Sequence, residues 1–339
     1  MLSRDDLNKC EQFIEEKEAD MAHEVESMMY VGETPWHGLG VAVPEGKKLS
    51  IDEAIAEAGL DWKVELRHIS AGDEKAGELC IPDYYATCRT SDSRILGIVG
   101  RNYHILQNME AFQWFRPFLD SGEATIETAG SLKGGSKIWV LAWIRRDPLS
   151  VGKEDMIRHY VLLSNSHDGS QSVRVGFTPI RVVCNNTLCL AHESAAGRLL
   201  RVKHTRRILE TLDEVRETID LAHREFAATV DQYRRLSSRQ INRTDLVRYV
   251  RLVFGLKEHV RTPAQEKQEK IVPAVIQLFE AGRGSHMAGR NFWGAYNAVN
   301  EYLNYFRGRT QDNTLNSLWF GESAKLNKKA LRIAYKMAA

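Results

Sequence analysis

Ala124-Thr125-Ile126-Glu127-Thr128-Ala129 and Lys137-Ile138-Trp139-Val140-Leu141-Ala142-Trp143-Ile144 are two runs rich in β-branched and aromatic residues. The linker between them, Gly130-Ser131-Leu132-Lys133-Gly134-Gly135-Ser136, is glycine-rich and basic. Two strand-like runs around such a linker predict a β-hairpin. Trp139 and Trp143 are four apart, share strand parity and face one side of the sheet. Large aromatics in apolar runs pack inside more often than they face solvent.

Outward from this hairpin the same texture continues. Ile157–Leu163 and Ser172–Phe177 read as strands around the turn Ser164-Asn165-Ser166-His167-Asp168-Gly169-Ser170. Upstream, Trp62–His68, Tyr84–Thr90 and Arg94–Val99 alternate in the same way between Gly, Asp and Pro. Ser50 and Glu53 form a capping box that opens a short helix ended by Gly59, and Asn108 caps a helix expected to run through Asp120. Residues 4–29 read as a polar, acidic helix, and Thr34–Gly40 as a loop.

After Pro179 the pattern becomes helical. Ile208, Leu212, Val215, Ile219, Ala222, Phe226, Val230 and Tyr233 recur at spacings of three and four, which predicts one long amphipathic helix over 202–236 with a coiled-coil-like seam. Phe292–Phe306 and Ser323–Met337 supply later helices. Strands with a few helices, followed by helices alone, define an α+β class: a mostly antiparallel sheet with packed helices, then a long amphipathic helix and an α-helical C-terminal region. The expected division is an acidic helical extension over 1–30, an α+β core over 31–200 and a helical region over 201–339.

The 339 residues are 43% apolar and 27% charged, which excludes a disordered chain. The net charge of +1 is a cancellation. Residues 1–30 carry nine acids against three bases, whereas residues 158–207 carry eight Arg and Lys against Asp168 and Glu193. A locally basic surface of this kind suits contact with phosphates.

Five cysteines without a Cys-x-x-Cys pair suggest neither a disulfide framework nor a zinc knuckle, and a reduced, cytoplasmic setting is expected. The longest apolar run, Ile138 to Ile144, falls far short of the roughly 20 residues a spanning helix needs, so no membrane partner is expected. No His-x-x-x-His or His-Glu-x-x-His spacing supports a metal, and no cofactor is expected. Gly130-x-x-x-Gly134-Gly135-Ser136-Lys137 lacks the Gly-Lys-Ser/Thr order of an ATPase loop. Cys184 with His167 and Asp168 could form a nucleophile set, but nothing in the sequence frames Cys184 as a nucleophile, and no catalytic residue is assigned.

A binding surface is better supported. Lys133 and Lys137 flank the glycines of the hairpin linker, whose backbone N–H groups can approach phosphates. Arg174, Arg181, Asn185 and Asn186 surround a break at Pro179, where amides can donate to phosphates or base edges. Arg201, Lys203, Arg206 and Arg207 crowd the expected start of the long helix, a placement the helix dipole disfavours unless an anion is present.

Four stretches also resemble a known family. They are Glu127–Leu132, Ser166-His167-Asp168-Gly169, Arg181-Val182-Val183-Cys184-Asn185-Asn186-Thr187-Leu188 and Trp293-Gly294-Ala295-Tyr296-Asn297-Ala298-Val299-Asn300-Glu301-Tyr302. They are similar to the phage/plasmid-like proteins of the domain-of-unknown-function family numbered nine hundred and thirty-two, in order from about Met21 to the C-terminus. The resemblance implies a mobile element in a bacterial host and a role in replication, recombination or conflict with the host. In layout the chain also resembles single-strand annealing proteins of the RecT and Red-beta kind, an analogy of architecture. The expected function is therefore ATP-independent single-stranded DNA binding and annealing by a homo-oligomer, in recombination or replication. The competing expectation is an oligomeric scaffold without enzymatic activity, in which the helix 202–236 is the self-association seam.

Overall fold

A computed structural model describes residues 25–32, 40–73, 77–145, 148–152, 154–181, 186–187, 200–217, 219–256, 266, 268–307, 317–318 and 321–339. The strands are β1 (Val25–Val31), β2 (Val41–Val43), β3 (Val64–Asp73), β4 (Gly77–Arg89), β5 (Ile95–Gly100), β6 (Ala124–Leu132), β7 (Lys137–Ile144), β8 (Leu149–Ser150), β9 (Met156–Ser166), β10 (Val173–Arg181), β11 (Asn186–Thr187) and β12 (Leu200–Val202). The expected α+β class holds: the sheets are mostly antiparallel and helices follow.

The main sheet runs β11-β10-β9-β7-β6-β1-β2, with β12 also on β10 and β8 also on β9. The hairpin predicted from sequence is its centre: Leu132 pairs with Lys137 and Ala124 with Ile144. Gly130, Ser131 and Leu132, read as linker, belong to β6 because β1 pairs with them, Met28 opposite Gly130 and Ser27 opposite Ser131. Gly130 is needed there, since a Cβ would collide with the Trp139 ring and the Ser27 carbonyl.

β1 corrects the expected helix over 4–29. Residues 1–24 lie outside the described residues, but Val25–Val31 is a strand inside the main sheet. Met28, Met29 and Tyr30 supply three consecutive buried side chains, which the sheet, with apolar groups on both faces, can accept.

The two faces differ. Met29, Ile126, Val140, Ala142, Val161, Leu163, Val173 and Val202 form a core with helices α1 (Ile51–Glu57), α2 (Asn108–Gln113), α3 (Arg116–Asp120) and α4 (Ile208–Glu217). The capping box of α1 forms as read, Ser50 Oγ accepting from Glu53 N at 3.2 Å and Ser50 N donating to Glu53 Oε2 at 2.8 Å. The helix expected from Asn108 to Asp120 is instead two, with Gln107 as cap of α2 and Pro117 restarting the chain in α3. The opposite face carries Met28, Tyr30, Leu132, Trp139, Leu141, Tyr160, Leu162 and Ile180, all strand residues. Trp139 is 2% exposed and therefore core, whereas Trp143 is only partly buried.

The predicted helix over 202–236 is also corrected. Leu200–Val202 is β12, helix begins at Ile208, and α4 and α5 (Ile219–Ser237) flank residue 218, which is outside the described residues. Val202, Ile208 and Leu212 join the core of the sheet. Phe226, Val230, Tyr233 and Leu236 join a second core with α6 (Arg243–Phe254), α7 (Ile271–Ala281), α8 (Ser285–Ala288), α9 (Phe292–Glu301) and α10 (Glu322–Ala338). The described apolar residues of the supposed seam are thus used inside the chain. Two buried contacts fasten this helical unit to the sheet: Trp293 Nε1 donates to Asp155 Oδ2 at 2.7 Å, and His159 stacks on Phe226 at 4.2 Å.

A smaller sheet, β3-β4-β5, leans on the main one. Thr87 Oγ1 donates to the His167 carbonyl at 2.7 Å, and the backbone of Asp168 lies so close to Gly97 that a Cβ there would overlap it.

Candidate nucleic-acid interface

β10 and β12 are antiparallel, with Val173 opposite Val202 and Val175 opposite Leu200, both valines on the buried face. That register is fixed by the apolar residues, and it places Arg174 directly opposite Arg201. Like charges in this position repel. Arg174 is half-buried, and burial together with the Arg201 charge lowers its basicity. Arg201, Lys203 and Arg206 are exposed, so the outer edge of the sheet continues as a basic strip past β12. Arg207 differs: its Nε donates to Glu210 Oε2 at 2.7 Å and its Nη2 lies 3.8 Å from Glu214, so its charge is shared within α4.

The expected break at Pro179 is absent, because β10 runs through it with Pro179 opposite His159, and Arg181 pairs through its backbone with Asn186 on the same sheet edge. Asn185 and Cys184 lie outside the described residues, so the proposed nucleophile set is not placed. α9 packs against β11, so the Arg181–Leu188 and Trp293–Tyr302 stretches converge although more than a hundred residues separate them.

The hairpin turn is not the open phosphate cradle expected from its glycines. It is only Lys133-Gly134-Gly135-Ser136, with Lys133, Gly134 and Gly135 all at positive φ. A Cβ on Gly134 would overlap the Arg94 guanidinium, and one on Gly135 would stand 3.0 Å from Arg89 Nη1 and 3.3 Å from Trp62. The turn is filled by side chains of the small sheet because Arg89 is anchored there. Its Nε and Nη2 donate to Asp92 at 2.9 and 2.6 Å and its Nη1 to Glu26 at 2.7 Å. Lys133 remains exposed, but Lys137 is 7% exposed and lies on β7 opposite Ser166.

Beside this turn is a buried polar knot built from Asn108, read from sequence as a helix cap, and from His167 and Asp168, weighed there as part of a nucleophile set. Asn108 Nδ2 donates to the carbonyls of Leu60 at 3.0 Å and Trp62 at 3.4 Å, so its Oδ1 must accept. His167 Nε2 is 2.9 Å from that oxygen and therefore carries the proton, which leaves Nδ1 a lone pair with no partner. Complete burial, helped by the nearby His204, pushes the His167 pKa down to about 3, against the pull of Asp168. Asp168 accepts from Ser166 Oγ and from Ser170 N. Burial opposes its charge, but these hydrogen bonds outweigh it and hold its pKa below the ordinary value. His204 stacks on Tyr103 at 4.4 Å, and Tyr103 Oη donates to the Ser166 carbonyl at 2.7 Å. The Ser166–Gly169 stretch is thus a junction between two sheets and β12. Among the described residues no group of three His, Cys, Asp or Glu side chains is placed to hold a metal ion.

On the opposite face, whose described core residues all come from strands, Tyr160 Oη donates to Glu127 Oε2 at 2.7 Å at the β6-β7-β9 end, and Arg158 lies over the Trp143 ring at 4.7 Å. Burial pushes the Glu127 carboxyl up and the Tyr160 hydroxyl up.

These features define an α+β protein with a basic edge on a large antiparallel sheet. The family model described as a domain of unknown function (DUF932) matches residues 95–319, and the chain belongs to that family. The match begins at β5, well after Met21, and takes in the basic edge, the knot and α9. No curated protein and no solved structure matches the chain. Among the described residues no helix is long and apolar enough to cross a membrane.

Proposed function

We propose that this protein is an ATP-independent single-stranded DNA-binding and annealing protein of a phage or plasmid, acting as an oligomer in recombination or replication in a bacterial cytoplasm. The observation that supports it is the Arg174–Arg201 cross-strand pair, continued by Lys203 and Arg206. Two guanidinium groups side by side on one sheet edge concentrate positive charge where a phosphate can take charge-assisted hydrogen bonds from both. An antiparallel sheet followed by helices, without an ATPase loop, is also the layout of RecT and Red-beta type annealing proteins, by analogy of architecture. In this reading Arg174, Arg201, Lys203 and Arg206 hold phosphates, and Lys133 lies in the β6–β7 turn, with β7 two strands in from β10.

The test is a salt titration with a single-stranded oligonucleotide. Replacing Arg201 and Arg206 together by Ala is expected to weaken binding and to shallow the slope of log affinity against log salt by about 1.4, at roughly 0.7 for each lost contact. Equal binding by variant and wild type at every salt concentration overturns the assignment.

A second reading, a scaffold component of a mobile element, rests on a different surface. On the outer side of the small sheet, Tyr84, Ile95 and Ile98 are 53%, 65% and 62% exposed, above the buried Ala86 and Cys88. Exposed apolar groups in a row on one sheet face mark a protein-interaction site. Light scattering of an Ile95→Asp/Ile98→Asp variant is expected to show a smaller particle than wild type with oligonucleotide binding retained. A variant of unchanged size removes this surface from any assembly.

A further inference from the structure

We propose that the outer face of α10 is a second nucleic-acid track that holds the complementary strand during annealing, an inference that rests on the reading of the protein as a single-strand annealing protein. Basic charge is not confined to the β10–β12 edge: residues 231–339 carry nineteen Arg and Lys against nine Asp and Glu. The register of α10 decides where part of that charge goes. Ser323, Asn327, Ala330, Leu331 and Ala334 are the buried side of a helix that packs on α9, α6 and α5. Lys325, Lys328, Arg332 and Lys336 are therefore left exposed, at spacings of three and four that put them in one row.

Most of this row is uncommitted within the fold. Lys325 Nζ donates to Glu322 Oε1 at 2.5 Å. A fifth cation, Lys329, turns to the C-terminal end of α6, where its Nζ lies beside Gly255 and offsets the carbonyl end of that helix. Lys328, Arg332 and Lys336 have no ion pair among the described residues, and no acid follows Glu322 in α10 to share their charge. On α5, Arg235 is exposed and its charge reaches the Tyr335 hydroxyl, so the positive surface continues from α10 onto α5.

The row fits a linear polyanion. From Lys325 to Lys336 it is about 16 Å long, with a cation at about each 5.4 Å turn, and solvent-exposed cations in a line are what a phosphate backbone neutralises. An anionic membrane requires large apolar side chains exposed beside the cations. Among the described residues the exposed large apolar side chains all lie outside α10, whose apolar side is spent on the helical core. Annealing brings two strands to one protein. The β10–β12 edge belongs to the sheet and the α10 row to the helical unit, so each can hold one backbone.

Native mass spectrometry of the full-length protein with a short oligo-dT counts the strands bound per protomer and weighs the particle in the same measurement. Wild type is expected to bind two strands per protomer, and Lys328→Ala/Arg332→Ala/Lys336→Ala to bind one, in a particle of unchanged size. The three positions are exposed and Ala favours helix, so α10 stays folded. The same variant is expected to anneal a complementary pair of oligonucleotides more slowly by on the order of tenfold. A variant that still binds two strands, or that anneals at the wild-type rate, overturns the track and leaves the single-strand reading standing. A wild type that binds one strand per protomer does the same. A variant that forms a smaller particle assigns the row to the acidic surface of a second copy and also overturns the track. A wild type that binds no oligonucleotide overturns both readings.

Discussion

Trp293→Ala is expected to destabilise the protein by about 3–5 kcal/mol, measured by urea denaturation. Trp293 is 1% exposed, lies between Tyr233 and Tyr296, and is the residue of α9 that reaches across to the sheet unit. Removing it opens a cavity in the helical core and takes the indole N–H from Asp155, which is completely buried. The two effects separate in Trp293→Phe, which fills most of the cavity and still removes the indole N–H from Asp155. If the donor matters, Trp293→Phe remains clearly destabilised and Asp155→Asn recovers part of the loss in the Phe background. A Phe variant as stable as wild type assigns the whole contribution to packing.

Lowering the pH from 7 to 5 is expected to remove about 2 kcal/mol of stability through His167 alone. Its pKa is pushed down to about 3 in the fold and is ordinary, near 6.5, in the unfolded chain. Between these values the unfolded chain binds a proton that the native state refuses. Stability is therefore fully present above about pH 6.5 and falls by about 1.4 kcal/mol for each unit of acidification. Burial depresses His204 as well, which adds in the same direction. Asp168, depressed in the fold, contributes only below the ordinary carboxylate range, whereas Glu127, whose carboxyl burial pushes up, acts in the opposite direction, so the histidine contribution is read as the difference between wild type and a His167 variant. His167→Gln, which can keep an N–H toward Asn108, is expected to flatten most of the slope. Equal slopes in wild type and His167→Gln between pH 7 and 5 rule out the buried neutral imidazole.

Much of the fold was legible because it depends on local signals. The period-two runs of β3 to β7, β9 and β10 and the capping box of α1 are all readable from neighbouring residues. What sequence missed depends on pairing at a distance. Val25–Val31 follows a long acidic stretch and looks like its continuation, and only the partner strand β6 makes it a strand. Leu200–Val202 carries the apolar spacing of the helix that follows, and its pairing with β10 overrides that propensity. The candidate site divides in the same way. Arg174, Arg201, Lys203 and Arg206 were visible as a charge cluster, but their common edge follows from the β10–β12 register. Arg207 reads like its neighbours, yet Glu210 and Glu214, one and two turns further on, share its charge. Glycine content pointed to an open loop at 130–136, while the side chains that fill it come from Arg89 and Arg94, some forty residues earlier.

The position of β1 also governs how the chain is made. Val25–Val31 leaves the ribosome about a hundred residues before β6, the strand it pairs with antiparallel. During that interval Met28, Met29 and Tyr30 have no antiparallel neighbour, and the β6–β7 hairpin, once made, presents an open edge until β1 arrives. Pairing at such separation is slow because loop closure precedes any gain from the contacts. The nascent protein therefore passes through a state with an unprotected apolar strand and a matching sheet edge, and two chains at that stage can exchange β1. Slow translation or crowding on a polysome favours such exchange, which makes β1 a point where biosynthesis is exposed to misassembly.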